Sequence, residues 1–137
     1  MLDAAFWEEL ERKSALKYDH MKITEKEDGR ITAELRLLPE YRDQYACLHS
    51  DVLYTLSDTV AGYAAAADGQ SYIPQSSSVH IMKNTTRDRF LRALATVSRR
   101  ADRTVLVDVM AADEHGRVLA TGRYTFCAAG KVSLPCE

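Results

Sequence analysis

A histidine, a serine and two aspartates within ten residues carry the reactive chemistry of this chain. His49-Ser50-Asp51 opens a segment whose middle holds Asp58. A carboxylate can take a proton from water or attack an electron-poor carbonyl itself. The unpaired amides at a helix start carry the positive end of the dipole and can hold an oxyanion. Ser50 is able to cap such a helix, and it stands eight residues before Asp58, about 12 Å along the axis. One extended ligand lying along the side of the helix can therefore meet both groups. Structural readings stand beside this one: capping accounts for Ser50, the dipole for Asp51, and a neighbouring hydroxyl or amide for Asp58.

The element that must position these groups is a long helix predicted over residues 47–67. Val52, Leu56, Val60, Tyr63 and Ala67 recur at helical spacing as one apolar stripe. Asp51, Thr55, Asp58, Gly62 and Ala65 fall on the opposite side. That side is small rather than charged, which calls for a second layer, another subunit included, packed closely on it. Aspartate is also a poor mid-helix residue, so something other than propensity keeps Asp58 there. Cys47, two residues before His49, reads either as a nucleophile with its base or as a small core thiol.

Composition bounds the rest. With 137 residues, 46% of them apolar, and a net charge of −2, the chain suits one compact domain over 1–137 and shows no basic excess for nucleic acid. No stretch approaches the roughly 20 apolar residues that span a bilayer, and no basic region followed by an apolar run opens the chain, so a cytoplasmic protein is expected. The three cysteines, Cys47, Cys127 and Cys136, are odd in number and unpaired in spacing. They fit reduced thiols better than disulfides or a zinc site, and no metal site is expected.

Residues 3–17 form an amphipathic segment with Phe6, Leu10 and Trp7 as its inward side chains, predicted as an extra N-terminal helix. From 21 to 38 the period becomes two, with Asp28-Gly29 as the turn of a hairpin. Residues 39–48 connect irregularly into the long helix. Asp68-Gly69 ends that helix, and four strands follow over about 75–83, 90–99, 103–113 and 117–127. The tail over about 128–137 is expected to be loosely held. The predicted fold is α+β, an antiparallel sheet with one face covered by the long helix. Its open edge and the small-residue helix face predict at least a dimer.

His49-Ser50-Asp51, then Leu56-Ser57-Asp58, then Asp113-Glu114-His115-Gly116-Arg117 and Gly122-Arg123-Tyr124-Thr125-Phe126 together resemble the hotdog-fold acyl-CoA thioesterases of the phenylacetate-degradation type. The resemblance covers about residues 20–127. That family runs Asn-x-x-Gly-x-x-His-Gly-Gly and then places its acidic residue nine positions after the histidine, as Asp58 follows His49. The resemblance implies a hotdog fold whose sheet wraps the central helix, and hydrolysis of an acyl-CoA thioester with no cofactor. It implies Asp58 as nucleophile or general base, the Ser50 amide as oxyanion donor, and His49 as the residue shaping the helix start. A Ser or Thr from the strand after the helix, usually the partner subunit's, orients the nucleophile in that family; Ser76 matches best here, with Ser78 next. Composite sites in a dimer or tetramer are implied too.

Several positions depart from the pattern. Asp43 replaces the asparagine, Ala46 the first glycine and Ser50-Asp51 the glycine pair. Asp51 sets a negative side chain beside the oxyanion site, and Asp43, if near Asp58, would turn one of the two into a proton donor. These losses favour a second reading, a non-catalytic acyl-thioester binding or sensing protein on the same scaffold. For the CoA phosphates, Arg99, Arg100 and Arg103 cluster at one turn, with Lys83, Arg87 and Arg89 near another; arginine forks suit phosphate oxygens, though charges at a turn also simply solvate it. His80 reads as a core or edge histidine rather than a base.

Overall fold

The computed structural model describes residues 20–27 and 29–129. The predicted helix over 3–17, Asp28 and the tail from 130 onward lie outside the described residues. Six strands form: β1 Met21–Glu27, β2 Arg30–Arg36, β3 Tyr72–Ile81, β4 Phe90–Ala101, β5 Thr104–Asp113 and β6 Val118–Ala128. They make one antiparallel sheet in the order β1-β2-β4-β5-β6-β3. A single described α-helix, α1, Ser50–Ala65, packs on one face.

Register sets the surface on which α1 packs. Ala33, Ala93, Ala111 and Ala120 are successive cross-strand partners in one row, and all are buried. Cross-strand partners project to the same face, so this row presents only methyl groups to the helix. The rows on either side carry larger residues: Leu35 beside Leu91 toward one end, and Ile31, Ala95 and Val109 toward the other. Val52, Leu56, Val60 and Tyr63 of α1 fill the remaining space and are at most 2% exposed. Burying each such side chain contributes roughly 1.5–3 kcal/mol. The predicted stripe is thus the buried one.

The helix begins three residues later than its apolar pattern, because Leu48 is held as an isolated bridge to Arg42 and by both ends of the Asn84 amide. Its far end matches expectation: a short 3-10 turn over Ala66–Asp68 leads to Gly69 at φ 89°, a left-handed position that glycine occupies without strain. The strand β3 starts at Tyr72 rather than near 75 and carries Pro74. It lies at a sheet edge with a bulge after Pro74, where a missing N–H is tolerated. Among the described residues no helix is long and apolar enough to cross a membrane.

Candidate active site

The loop that feeds α1 is built by polar side chains turned onto their own backbone. Asp43 Oδ1 accepts the N–H groups of Tyr45 (2.8 Å) and Cys47 (3.1 Å), and the Asp43 N–H donates to the Cys47 carbonyl at 2.8 Å. Asp43 therefore works as a turn-former. In the pattern that the sequence resembles, asparagine stands at this position, and an accepting oxygen is what the two side chains share. Ala46 sits at φ 66°, a left-handed conformation that costs a residue bearing a Cβ and that suits the glycine found there in the pattern the sequence resembles. Arg42 ties the loop down, donating to the carbonyls of Ala46 (2.8 Å), Thr85 (2.7 Å) and Asp88 (2.6 Å).

This scaffold delivers His49 as the N-cap, with its N–H on the Tyr41 carbonyl at 2.9 Å. The His49 side chain makes no capping hydrogen bond. Ser50 is the first helical residue rather than the cap, which corrects the sequence reading: the chain enters the helix one residue early. The Val52 amide donates to the His49 carbonyl at 3.0 Å, while the amides of Ser50 and Asp51 have no intrahelical acceptor and no side chain of the N-cap takes one. Ser50 and Asp51 are exposed, so the positive end of α1 opens outward with one carboxylate at its rim. The half-buried Cys47 thiol makes no hydrogen bond with His49 among the described residues.

Asp58 is half-buried. The helix runs from the Leu48–Asn84 contact at one end of the sheet to Arg100 at the other, so Asp58, halfway along it, comes level with the middle of the strands. On the face that α1 covers, the row there is Val97, Val107, Tyr124 and Ser77. The Asp58 charge is felt by Tyr124: burial first, then Asp58 and Tyr54, push the phenol well above its ordinary value. Tyr124 and Ser77 are not among the site candidates read from the sequence, and register places them side by side in this row. The signal was present in the alternation of Tyr124 with Gly122 and Phe126, but only register shows which serine shares that face.

Ser76, Ser78 and His80 pair with Thr125, Arg123 and Thr121 and so project to the opposite face, away from their own helix. There Ser78 Oγ lies 3.4 Å from His80 Nε2, both residues being exposed. Within one chain, then, Ser77 rather than Ser76 faces the layer that holds Asp58.

The arginine cluster lies at the C-terminal end of α1, roughly 20 Å from Ser50 at about 1.5 Å per residue. Arg100 donates to the carbonyls of Ala64 and Ala65, each at 3.0 Å, and to Asp68 at 3.1 Å. Its guanidinium thus closes the helix. Arg103 occupies a turn at φ 61° and reaches the Ala128 carbonyl at 3.5 Å. Arg99 is exposed and forms no ion pair among the described residues. Of the other basic group, Arg89 is held by Glu114, through its amide (2.7 Å) and its guanidinium (3.1 Å).

A different hairpin brings potential metal ligands together. Atoms of Asp88, Glu114 and His115 lie within 4.8 Å of one another. Both Glu114 oxygens already accept from Arg89, and Asp88 Oδ2 accepts the Thr85 hydroxyl, so cations and donors of the chain itself hold the cluster. Beside it Asp113, 1% exposed, accepts from the His115 and Arg117 amides (2.9 Å each) and from Arg117 Nε (2.8 Å). Burial pulls its carboxyl upward, yet these donors hold it below the usual carboxylate range. Asp113 therefore fastens the hairpin.

Comparison with known proteins places this architecture. No family model and no curated protein sequence matches the chain. Solved structures do match, and they define the class: the chain has the hotdog fold. A hypothetical thioesterase from Streptococcus pneumoniae, solved with coenzyme A, superposes with a TM-score of 0.83 at 20% identity, covering 92% of this chain and 98% of that one. The Escherichia coli PaaI protein of the phenylacetic acid degradation operon gives 0.83 at 17% identity over 92% and 91%. Zebra fish thioesterase superfamily member 2 gives 0.83 at 16% identity over 95% and 100%. The fold implied by the His49-to-Asp58 pattern is the observed one.

Proposed function

We propose that this protein is an acyl-CoA thioesterase, hydrolysing a thioester to a free acid and CoA. The observation that carries the reading is Asp58, half-buried midway along a helix whose first amides no side chain of the N-cap residue covers. In the general-base form, Asp58 takes a proton from water as the water oxygen bonds to the acyl carbon. The carbonyl oxygen becomes an oxyanion against the Ser50 amide, the C–S bond breaks, and the proton passes to the departing thiolate. In the nucleophilic form, Asp58 displaces the thiolate itself and water opens the resulting anhydride. His49 sets the backbone angle from which the Ser50 amide is aimed.

Fold neighbours solved with coenzyme A and with acetyl CoA, the latter from Streptococcus mutans, support a CoA thioester as substrate. Arg99 and Arg103 are the cations we assign to its phosphates, since Arg100 is engaged with the helix end. Assembly completes the reading: the edge strand β3 is exposed along most of its length, and pairing it with a second copy gives at least a dimer, with the partner subunit supplying a hydroxyl such as that of Ser76. Cytoplasmic location fits a CoA substrate. Light scattering at the monomer mass would remove the composite site.

The second reading, an acyl-thioester binding protein without turnover, is favoured by Asp51 where the family has glycine. A panel of acyl-CoAs assayed for thiol release separates the two. Turnover is expected, and Asp58→Ala should lower kcat/KM by roughly 10²–10⁴-fold with unchanged folding. Tight binding without release, or an Asp58→Ala variant as fast as the parent, defeats the enzyme reading.

A further inference from the structure

Tyr124 is a buried polar side chain that the hydrolytic scheme leaves unused. It is 2% exposed, and among the described residues its phenol makes no hydrogen bond, although buried hydroxyls ordinarily find a partner. Its ring is built into place. On one side it stacks on Phe126, with centroids 6.1 Å apart and planes 17° from parallel. On the other it leans over Gly122, where an added Cβ would meet Tyr124 Cε1 at 3.1 Å and Val79 Cγ2 at 3.4 Å. Gly122 is thus the vacancy into which the ring folds, and an alanine there would push the ring away. Directly across the strand pair stands Ser77, and α1, which bears Asp58, contacts both of the strands that carry them, β6 and β3. A core tyrosine placed only for its volume requires none of this arrangement, and phenylalanine would fill the same space without an unpaired hydroxyl.

We propose that Tyr124 is a positioning residue of the Asp58 site: its phenolic oxygen accepts the second hydrogen of the water whose first hydrogen Asp58 takes. Two fixed acceptors hold both hydrogens of that water and so turn the lone-pair side of its oxygen toward the acyl carbon. The phenol forms no covalent bond and loses no proton in the cycle. Its raised pKa suits the task, because a neutral oxygen beside a carboxylate neither repels it nor competes for its charge. Ser77, exposed in the single chain, is the neighbouring hydroxyl to which the phenol can donate in turn.

This inference rests on the general-base form of the proposed hydrolysis, and the test keeps the two apart. The intact protein, Tyr124→Phe, Gly122→Ala and Asp58→Ala are compared for thiol release from the best acyl-CoA of the panel, with thermal unfolding measured on each. Tyr124→Phe should lose at least tenfold in kcat, keep KM within about twofold and unfold within a few degrees of the parent. Gly122→Ala retains the hydroxyl but shifts the ring, and should lose kcat in the same direction. An unaltered kcat in Tyr124→Phe beside an inactive Asp58→Ala overturns the role of Tyr124 and leaves the hydrolysis standing. An active Asp58→Ala overturns both. A rise in KM with kcat unchanged in Tyr124→Phe also overturns the proposal, since the ring would then serve acyl binding.

Discussion

The two ends of α1 are finished in opposite ways. At the C-terminal end the Ala64 and Ala65 carbonyls accept from Arg100, Arg100 pairs with Asp68, Tyr72 donates its hydroxyl to Asp68 at 2.5 Å, and Gly69 turns the chain through a left-handed residue. At the N-terminal end the loop is tied just as firmly, by Arg42, Asp43 and Asn84. Those bonds hold the loop and stop short of the helix amides, because the N-cap is a histidine whose side chain takes none of them. Serine, aspartate or asparagine in that place would be worth about 1 kcal/mol. The helix is thus capped by side chains at its C-terminal end and left without a side-chain cap at its positive pole.

Between the two ends, the largest expected effect comes from deleting one amide at the open one. Proline is tolerated at a first helical position, and His49 already holds the extended ψ of 138° that a following proline requires. Ser50→Pro should therefore fold normally and lose roughly 10²–10³-fold in kcat, the typical loss for one oxyanion donor. Ser50→Ala, which removes only the hydroxyl, should stay near the parent. Equal activity of Ser50→Pro and Ser50→Ala would show that the amide is idle and the comparison of ends empty.

At the closed end the effect should fall on stability. Arg100→Ala removes the guanidinium donor from two helix carbonyls and the cation from Asp68, which keeps the Tyr72 hydroxyl, and should cost about 1–2 kcal/mol in denaturant unfolding with turnover nearly unchanged. A raised KM for acyl-CoA at unchanged stability would instead return Arg100 to the phosphate-binding role that its sequence position suggests. The smallest effect is the reverse operation, closing the open end. His49→Ser supplies the missing cap and should gain roughly 0.5–1 kcal/mol while lowering kcat/KM by less than tenfold. No gain in stability would mean that the first amides already have a partner.

Much of this could be read beforehand, and the reasons are local. Val52, Leu56, Val60 and Tyr63 are buried because period 3.6 places them on one stripe, and the alternations of β4, β5 and β6 predict their buried faces. Asp58 stood out because an acidic residue among small neighbours is uncommon in a helix. The apolar pattern over 47–67 runs three residues ahead of the helix because the hold on Leu48 comes from Asn84, 36 residues away. Arg99, Arg100 and Arg103 look equivalent along the chain, yet only Arg100 ends beside the α1 carbonyls. The Ser76-Ser77-Ser78 run has no internal mark of which member faces inward, since a bulge after Pro74 shifts the register.

By itself, then, the order of residues determined which segments are helix and strand, which side of each is dry, and that a carboxylate follows a helix start by two turns. These depend on periodicity and on spacing along the backbone. Tertiary structure alone decided that Tyr124 and Ser77 meet the layer of Asp58, that Ser76 does not, and that Arg100 serves the helix. Each of those depends on strand register and on contacts between residues far apart in the chain. A single-residue slip in pairing reverses every facing, and no local pattern records it.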